Sequence, residues 1–159
     1  DGLSLIAEGV FSPPKNSVLT PHFGELARLL AKEKITCMDD SLLEECKTYA
    51  QEKELCLLVK GAPSFIFSAR GEVFISLRGS KGMATAGSGD VLSGIIACFL
   101  AQGVLPEKAA CLGAFIHGLC GESYALQKSS RSLIASSILK VPKASLFAVY
   151  SGVSKLTAT

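Results

Sequence analysis

Leu55-Cys-Leu-Leu-Val59 is an unbroken apolar run with no polar alternation. That is the pattern of a strand covered on both faces, which suits the centre of a parallel sheet. Such a strand needs helices on each side, so the chain is expected to be α/β and layered. The flanking segments can supply them. Ser17-Val-Leu-Thr20 reads as a brief strand stopped by Pro21, and His22 to Ala31 as a helix with Phe23, Leu26, Ala27, Leu29 and Leu30 on one stripe. Asp40-Ser41 is a capping signal for a longer helix to about Lys53. Beyond the central run, Ser64 to Ala69 and Val73 to Leu77 flank Arg70-Gly71-Glu72, which predicts a hairpin. Helices are expected over Gly89 to about Ala101, Pro106 to about Gln127, a short stretch near Leu133 to Leu139, and Lys143 to about Lys155.

Length and charge narrow the function classes. A chain of 159 residues buries one good core. With 48% hydrophobic and 19% charged residues, it suits elements buried on two faces. The net charge is only +2 and the basic residues are dispersed, so nothing marks a nucleic-acid surface. Apolar stretches are interrupted before they reach bilayer-spanning length. The six cysteines (Cys37, Cys46, Cys56, Cys98, Cys111, Cys120) form no C-x-x-C pair and read as reduced thiols, with a cytoplasmic setting expected. The chain opens at Asp1-Gly-Leu rather than Met, which reads as the interior of something longer.

Three motifs carry chemistry. The first is Gly79-Ser-Lys-Gly-Met-Ala-Thr-Ala-Gly-Ser-Gly-Asp90, a small-residue loop running into an apolar helix. Gly87 and Gly89 permit positive φ and close approach of a ligand, and the first helical N–H groups sit at the positive end of the dipole. Together they suit a phosphate. A carboxylate at Asp90 would repel that phosphate unless it is there to take a proton. The second is Leu19-Thr-Pro-His-Phe-Gly-Glu25, where a strand ends and a helix begins, with His22 and Glu25 one turn apart. His22 can donate to a hydroxyl, ribose or phosphate, and Glu25 can hold a magnesium-bound water; an ordinary Thr20 cap with a decorative Glu25 fits as well. The third is Val59-Lys-Gly-Ala-Pro-Ser64: Lys60 leaves the buried strand at its C-terminal end, where a lone charge needs an anionic partner. Gly61 lets the backbone turn, and Ser64 offers a hydroxyl. His117, among Phe115, Ile116 and Leu119, reads as a packing residue and is left out of the site.

With these motifs in this order, the chain resembles the ADP/ATP-dependent NAD(P)H-hydrate dehydratases of the ribokinase-like superfamily. The carrying residues are Leu19-Thr-Pro-His-x-Gly-Glu25, Leu58-Val-Lys-Gly-Ala-Pro-Ser64, Gly82-Met-Ala-Thr-Ala-Gly-Ser-Gly-Asp-Val-Leu-Ser-Gly94, His117-Gly-x-x-Gly121 and Leu133-Ile-Ala-Ser136. Phe23 stands where the family usually has proline, Ser64 where threonine is common, Ser80-Lys81 for Asn-Pro, and Ser137 for an aspartate. The resemblance implies a three-layer sandwich with a mostly parallel central sheet, of which residues 1–159 would be the C-terminal part of a single domain lacking its N-terminal half. Such a piece is expected to bind nucleotide poorly and turn over little alone.

The implied activity is repair of NADH or NADPH hydrated at C6 of the nicotinamide ring. ATP or ADP, with Mg2+, phosphorylates the 6-hydroxyl, and loss of phosphate restores the double bond. Asp90 would be the base and would contact the hydrated cofactor together with His22. Lys60, Gly61, Ala62, Pro63, Ser64, Ala86, Gly87, Ser88 and Gly89 would bind the nucleotide, and Glu25 would act on magnesium indirectly. A homo-oligomer and a fused or partner epimerase domain are the implied partners, with no nucleic acid or membrane. The same anion site and base would serve a vitamin-precursor kinase of that superfamily, and a non-catalytic nucleotide-binding module is the alternative outside catalysis.

Overall fold

The computed structural model describes residues 2–128 and 132–140. Its elements are α1 (Gly2–Ala7), β1 (Val18–Leu19), α2 (Phe23–Leu29), α3 (Asp40–Glu52), β2 (Cys56–Val59), β3 (Ser64–Phe67), β4 (Val73–Ser76), a short 3-10 turn (Lys81–Met83), α4 (Ser88–Ala101), α5 (Pro106–Gln127) and α6 (Ala135–Ile138). The elements expected from periodicity are present within a residue or two at their ends; Asp39, one residue earlier than expected, caps α3 by accepting from the Leu42 N–H at 2.8 Å. The helix expected over Lys143 to Lys155 lies outside the described residues.

The sheet runs β1-β2-β3-β4. β1 and β2 are parallel, with Val18 opposite Cys56 and Leu19 opposite Leu57. The hairpin β3–β4 adds antiparallel, so the described sheet is mixed, with its parallel part at β1–β2. Every residue of β2 is buried, as a two-face strand requires. Its side chains alternate between two cores. Leu55, Leu57 and Val59 join Phe67, Leu26 of α2, and Leu42, Cys46 and Ala50 of α3 on one side. Cys56 and Leu58 join Ile66 with Leu92 and Ile96 of α4 and Ala109, Ala110 and Ala114 of α5 on the other. Helix, sheet and helix therefore form three layers, and β2 is the seam between them.

The six thiols are free. Burial pushes Cys46 and Cys56 up to about 12, which leaves them as small core residues rather than nucleophiles. No helix among the described residues is long and apolar enough to cross a membrane.

Phe67 is fully buried where α3 meets the sheet. Phe67→Ala should therefore cost about 3–5 kcal/mol, measured by urea unfolding; a loss under about 1 kcal/mol would show that this core is not packed as described.

Candidate active site

The buried strand decides where the site lies. β1 and β2 end side by side, and their alignment continues one step further as a parallel bridge between His22 and Lys60. The Lys60 N–H donates to the Pro21 carbonyl at 2.7 Å, which locks the two exits together. Polar residues follow there, beyond the fully buried strand. Above these strand ends lies a cavity of about 660 Å³. Its walls are the Lys60–Ser64 loop, the Leu77–Thr85 connection, Ser88, Gly89 and Leu92 of α4, and Ala114, His117 and Gly118 of α5. Lys60, Arg78 and Lys81 line it, and among the described residues no carboxylate does. Such a charge balance suits an anion.

His22 and Glu25 form a reciprocal cap on α2. The His22 Nδ1 accepts from the Glu25 N–H at 3.2 Å, and the Glu25 Oε2 accepts from the His22 N–H at 2.7 Å. The cap is thus His22, not Thr20. Thr20 instead places its hydroxyl 3.3 Å from Ser93 Oγ, tying the end of β1 to α4 one turn beyond Asp90. Glu25 Oε2 also lies 3.4 Å from Lys60 Nζ and 3.6 Å from His22 Nε2. The anionic partner that Lys60 needs is therefore built into the protein, and the cluster is nearly neutral before any ligand arrives. All three of these contacts fall on Oε2. Oε1 makes none of them. No group of three His, Cys, Asp or Glu comes together among the described residues.

The glycine loop enters α4 through Gly87, whose φ of +81° is left-handed and favours glycine. Gly89 is already helical, so the expectation of positive φ holds at Gly87 alone. The Gly87 carbonyl accepts from the Asp90 and Val91 N–H groups at 3.2 Å each, and the Ser88 N–H turns back to the Thr85 carbonyl at 3.2 Å. Ser88 therefore differs from the expected row of donors. Ala86, Gly87 and Gly89 keep N–H groups without a partner among the described residues, at the positive end of a 14-residue helix. A Cβ at Gly89 would sit 3.3 Å from Lys60 Nζ, so cation and helix N-terminus face each other across a narrow gap.

The expected site residues thus divide. His22, Lys60, Gly61, Ala62, Pro63, Ser64, Ser88 and Gly89 share the cavity. Glu25 reaches it through His22 and Lys60. Ala86, Gly87 and Asp90 are exposed and do not line it. Asp90 stands one turn before Ser93 on α4, whose hydroxyl meets Thr20 at the end of β1.

A family model described as NAD(P)H-hydrate dehydratase matches residues 1–143. The chain belongs to that family. It is 48% identical over 122 residues to the bifunctional NAD(P)H-hydrate repair enzyme Nnr of Moorella thermoacetica, covering 77% of this chain and 23% of that one. It is 42% identical over 108 residues to the ADP-dependent (S)-NAD(P)H-hydrate dehydratase of Neisseria meningitidis, covering 68% and 36%. Among solved structures, the ADP/ATP-dependent NAD(P)H-hydrate dehydratase of Bacillus subtilis, co-crystallised with ATP/Mg2+, superposes with a TM-score of 0.73 at 25% identity, covering 85% of this chain and 51% of that one. A ribokinase-like superfamily protein from Enterococcus faecalis gives 0.71 at 32% identity, covering 90% and 49%. The fold is ribokinase-like. The chain spans about a quarter of the Moorella relative and about half of these two solved structures.

Two features of this dehydratase-family site escaped sequence reasoning. One is His117, which lines the cavity with its Nε2 3.2 Å from Ser88 Oγ. Burial lowers its pKa below the ordinary value, so the ring is neutral near pH 7. Its apolar neighbours along α5 gave the appearance of plain core. The other is the purpose of Gly118 and Gly121. A Cβ on Gly118 would lie 2.8 Å from the Arg78 carbonyl carbon, and one on Gly121 would run into the Met83 thioether. The missing side chains let the Arg78–Met83 wall lie directly on α5. Glu122 fastens that wall, accepting from Arg78 Nη1 at 3.0 Å and from the Gly79 N–H at 2.8 Å. The His-Gly-x-x-Gly-Glu spacing was the available signal.

Gly118→Val should push the Arg78 backbone off α5 and destabilise the fold by about 1–3 kcal/mol in urea unfolding, the cost of overpacking. Unchanged stability would show that the wall does not sit on that helix.

Proposed function

We propose that this chain is the C-terminal part of a dehydratase domain that repairs hydrated NADH or NADPH at the expense of ADP or ATP. The observation that carries the reading is the cavity lined by Lys60, Arg78 and Lys81, with the unpaired Gly89 N–H at the start of α4 in its wall and the exposed Asp90 next to Gly89 in the chain. Nucleotide phosphates fit the first part. A carboxylate beside them fits a hydroxyl acceptor whose proton must be removed. The Bacillus subtilis relative's co-crystallisation with ATP/Mg2+ supports the nucleotide assignment.

On this reading, Lys60 to Ser64 hold the nucleotide from the sheet side, and Ala86 to Gly89 cradle the phosphoryl group in flight. Asp90 takes the proton of the 6-hydroxyl as that oxygen bonds to phosphorus and the bridging P–O bond breaks. The remainder of the nucleotide leaves with the broken bond's electrons. The C6–O bond then breaks, phosphate departs, a proton leaves C5, and the ring double bond returns. Phosphorylation matters because hydroxide is a poor leaving group and phosphate a good one. A magnesium ion carried by the phosphates would supply charge neutralisation, with Glu25 Oε1 accepting from one of its waters. His22, exposed at the cavity rim, contacts the hydrated nicotinamide. Phe23 lies against the turn at Gly61, its Cζ 3.7 Å from where a Gly61 Cβ would be. We further propose a cytoplasmic homo-oligomer working with a fused or partner epimerase.

The full-length protein, given hydrated NADH with ATP or ADP and Mg2+, should regain absorbance in the reduced-nicotinamide band. Stable transfer of phosphate to an alcohol, without that recovery, would make it a kinase instead. Asp90→Asn should lower turnover by ~10²-fold or more, the usual scale of a lost general base, with nucleotide affinity within about threefold. Loss of binding with intact turnover per bound nucleotide would contradict the assignment. Gly89→Val should weaken nucleotide binding at least ~10-fold by calorimetry, because its side chain occupies the gap facing Lys60; unchanged affinity would move the phosphates elsewhere.

A further inference from the structure

We infer that His117 is a positioning residue for the phosphoryl cradle: its imidazole holds the Ser88 hydroxyl and so fixes the Gly87–Asp90 turn against α5. The inference rests on the reading of that turn as the cradle. It goes beyond that reading by giving a role to a buried side chain that the chemistry does not otherwise use.

The other contacts around the turn are apolar: Gly87 lies near Ala135 of α6, and Val91 packs against Cys120, Leu133 and Ile138. Ser88 stands between Gly87 and Gly89, so the backbone on both sides lacks the steric limits a Cβ imposes. α4 and α5 pack through Leu92 and Ile96 against Ala110, Ala114 and the open surface of Gly113. Those contacts are apolar and non-directional; they set how close the helices lie but not how the first turn of α4 is aimed. Ser88 Oγ to His117 Nε2 at 3.2 Å is a polar link between that turn and α5. A hydrogen bond is directional, so it can supply the orientation that packing does not.

The local chemistry is consistent with a structural hold rather than proton transfer. Ser88 and His117 are both buried, at 4% and 8% exposure, whereas Asp90 is exposed. A buried imidazole loses its hydration and needs a polar partner in return. A neutral ring carries one donor and one acceptor nitrogen, and a hydroxyl can answer either, so the contact is satisfied in both tautomers. Aiming the turn matters because Gly89 N–H and Asp90 must meet one ligand together. Misplacement by about 1 Å can cost ~10²-fold in rate.

The test uses the full-length protein and four variants: His117→Leu, His117→Gln, Ser88→Ala, and the His117→Leu/Ser88→Ala pair. Turnover of hydrated NADH is followed with saturating and limiting ATP, and amide hydrogen exchange is read over residues 88–91 and over β2. His117→Leu and Ser88→Ala should each lower kcat about tenfold or more with KM for ATP within about threefold, and the pair should lose no more than either alone. His117→Gln, which can still reach a hydroxyl, should recover most of kcat. Exchange at Asp90 and Val91 should speed up in His117→Leu while the β2 amides stay protected. Additive losses in the pair, a glutamine no better than leucine, or exchange rising equally in β2 would overturn the inference. If the wild type fails to act on hydrated NADH, the dehydratase reading falls, and the exchange comparison still decides the role of His117. If His117→Leu does not fold, His117→Gln and Ser88→Ala carry that comparison: Ser88→Ala must loosen Asp90 and Val91, and His117→Gln must not.

Discussion

One carboxylate oxygen, Glu25 Oε2, joins everything at the mouth of this site. It accepts from the backbone of His22, faces the His22 ring, and neutralises Lys60 at the end of the neighbouring strand. Glu25 is largely buried, and a buried charge is stable only when paired and hydrogen-bonded. Each contact therefore constrains the others: the cap orients the histidine, the ion pair fixes the lysine, and both depend on β1 and β2 ending in register. The charge that β2 cannot hold inside its two cores is delivered to the point where the strands stop.

The opposite wall is built on a different principle. It uses absent side chains. Gly118 and Gly121 let the Arg78–Met83 segment lie on α5, Glu122 pins it there, and Gly87 turns the chain into α4. Arg78 adds a contact over the Phe115 ring, 5.4 Å from its centroid. A wall of backbone and small residues leaves amide donors exposed to the cavity, which a wall of packed side chains would cover. The two walls meet where Gly89 faces Lys60, and that gap is the narrowest definition of the proposed phosphate position.

The layered fold was legible because β2 has no polar alternation and its flanking helices carry clear stripes. The hairpin was legible from the Arg70-Gly71-Glu72 turn. Much less could be read wherever two distant segments define one contact. The pairing of Lys60 with Glu25 requires the parallel alignment of two strands, and a linear reading sees only a lone lysine and a first-turn glutamate. His22 as cap was hidden by Thr20, the more conventional capping residue two positions earlier. His117 meets Ser88 from 29 residues away, and its local surroundings are apolar. Gly89 illustrates a subtler limit: composition permits positive φ at both loop glycines, but only Gly87 lies before the helix begins.

The proposed function needs one geometry: phosphate between Lys60 and the start of α4, with the Asp90 carboxylate on the acceptor's side. A crystal structure of the full-length protein with a non-hydrolysable ATP analogue, Mg2+ and hydrated NADH tests it most directly. The terminal phosphate should lie within hydrogen-bond reach of the Gly89 N–H and Lys60 Nζ, with the 6-hydroxyl within about 3.2 Å of Asp90. A nucleotide bound away from that gap, or an Asp90 carboxylate turned from the hydroxyl, would contradict it.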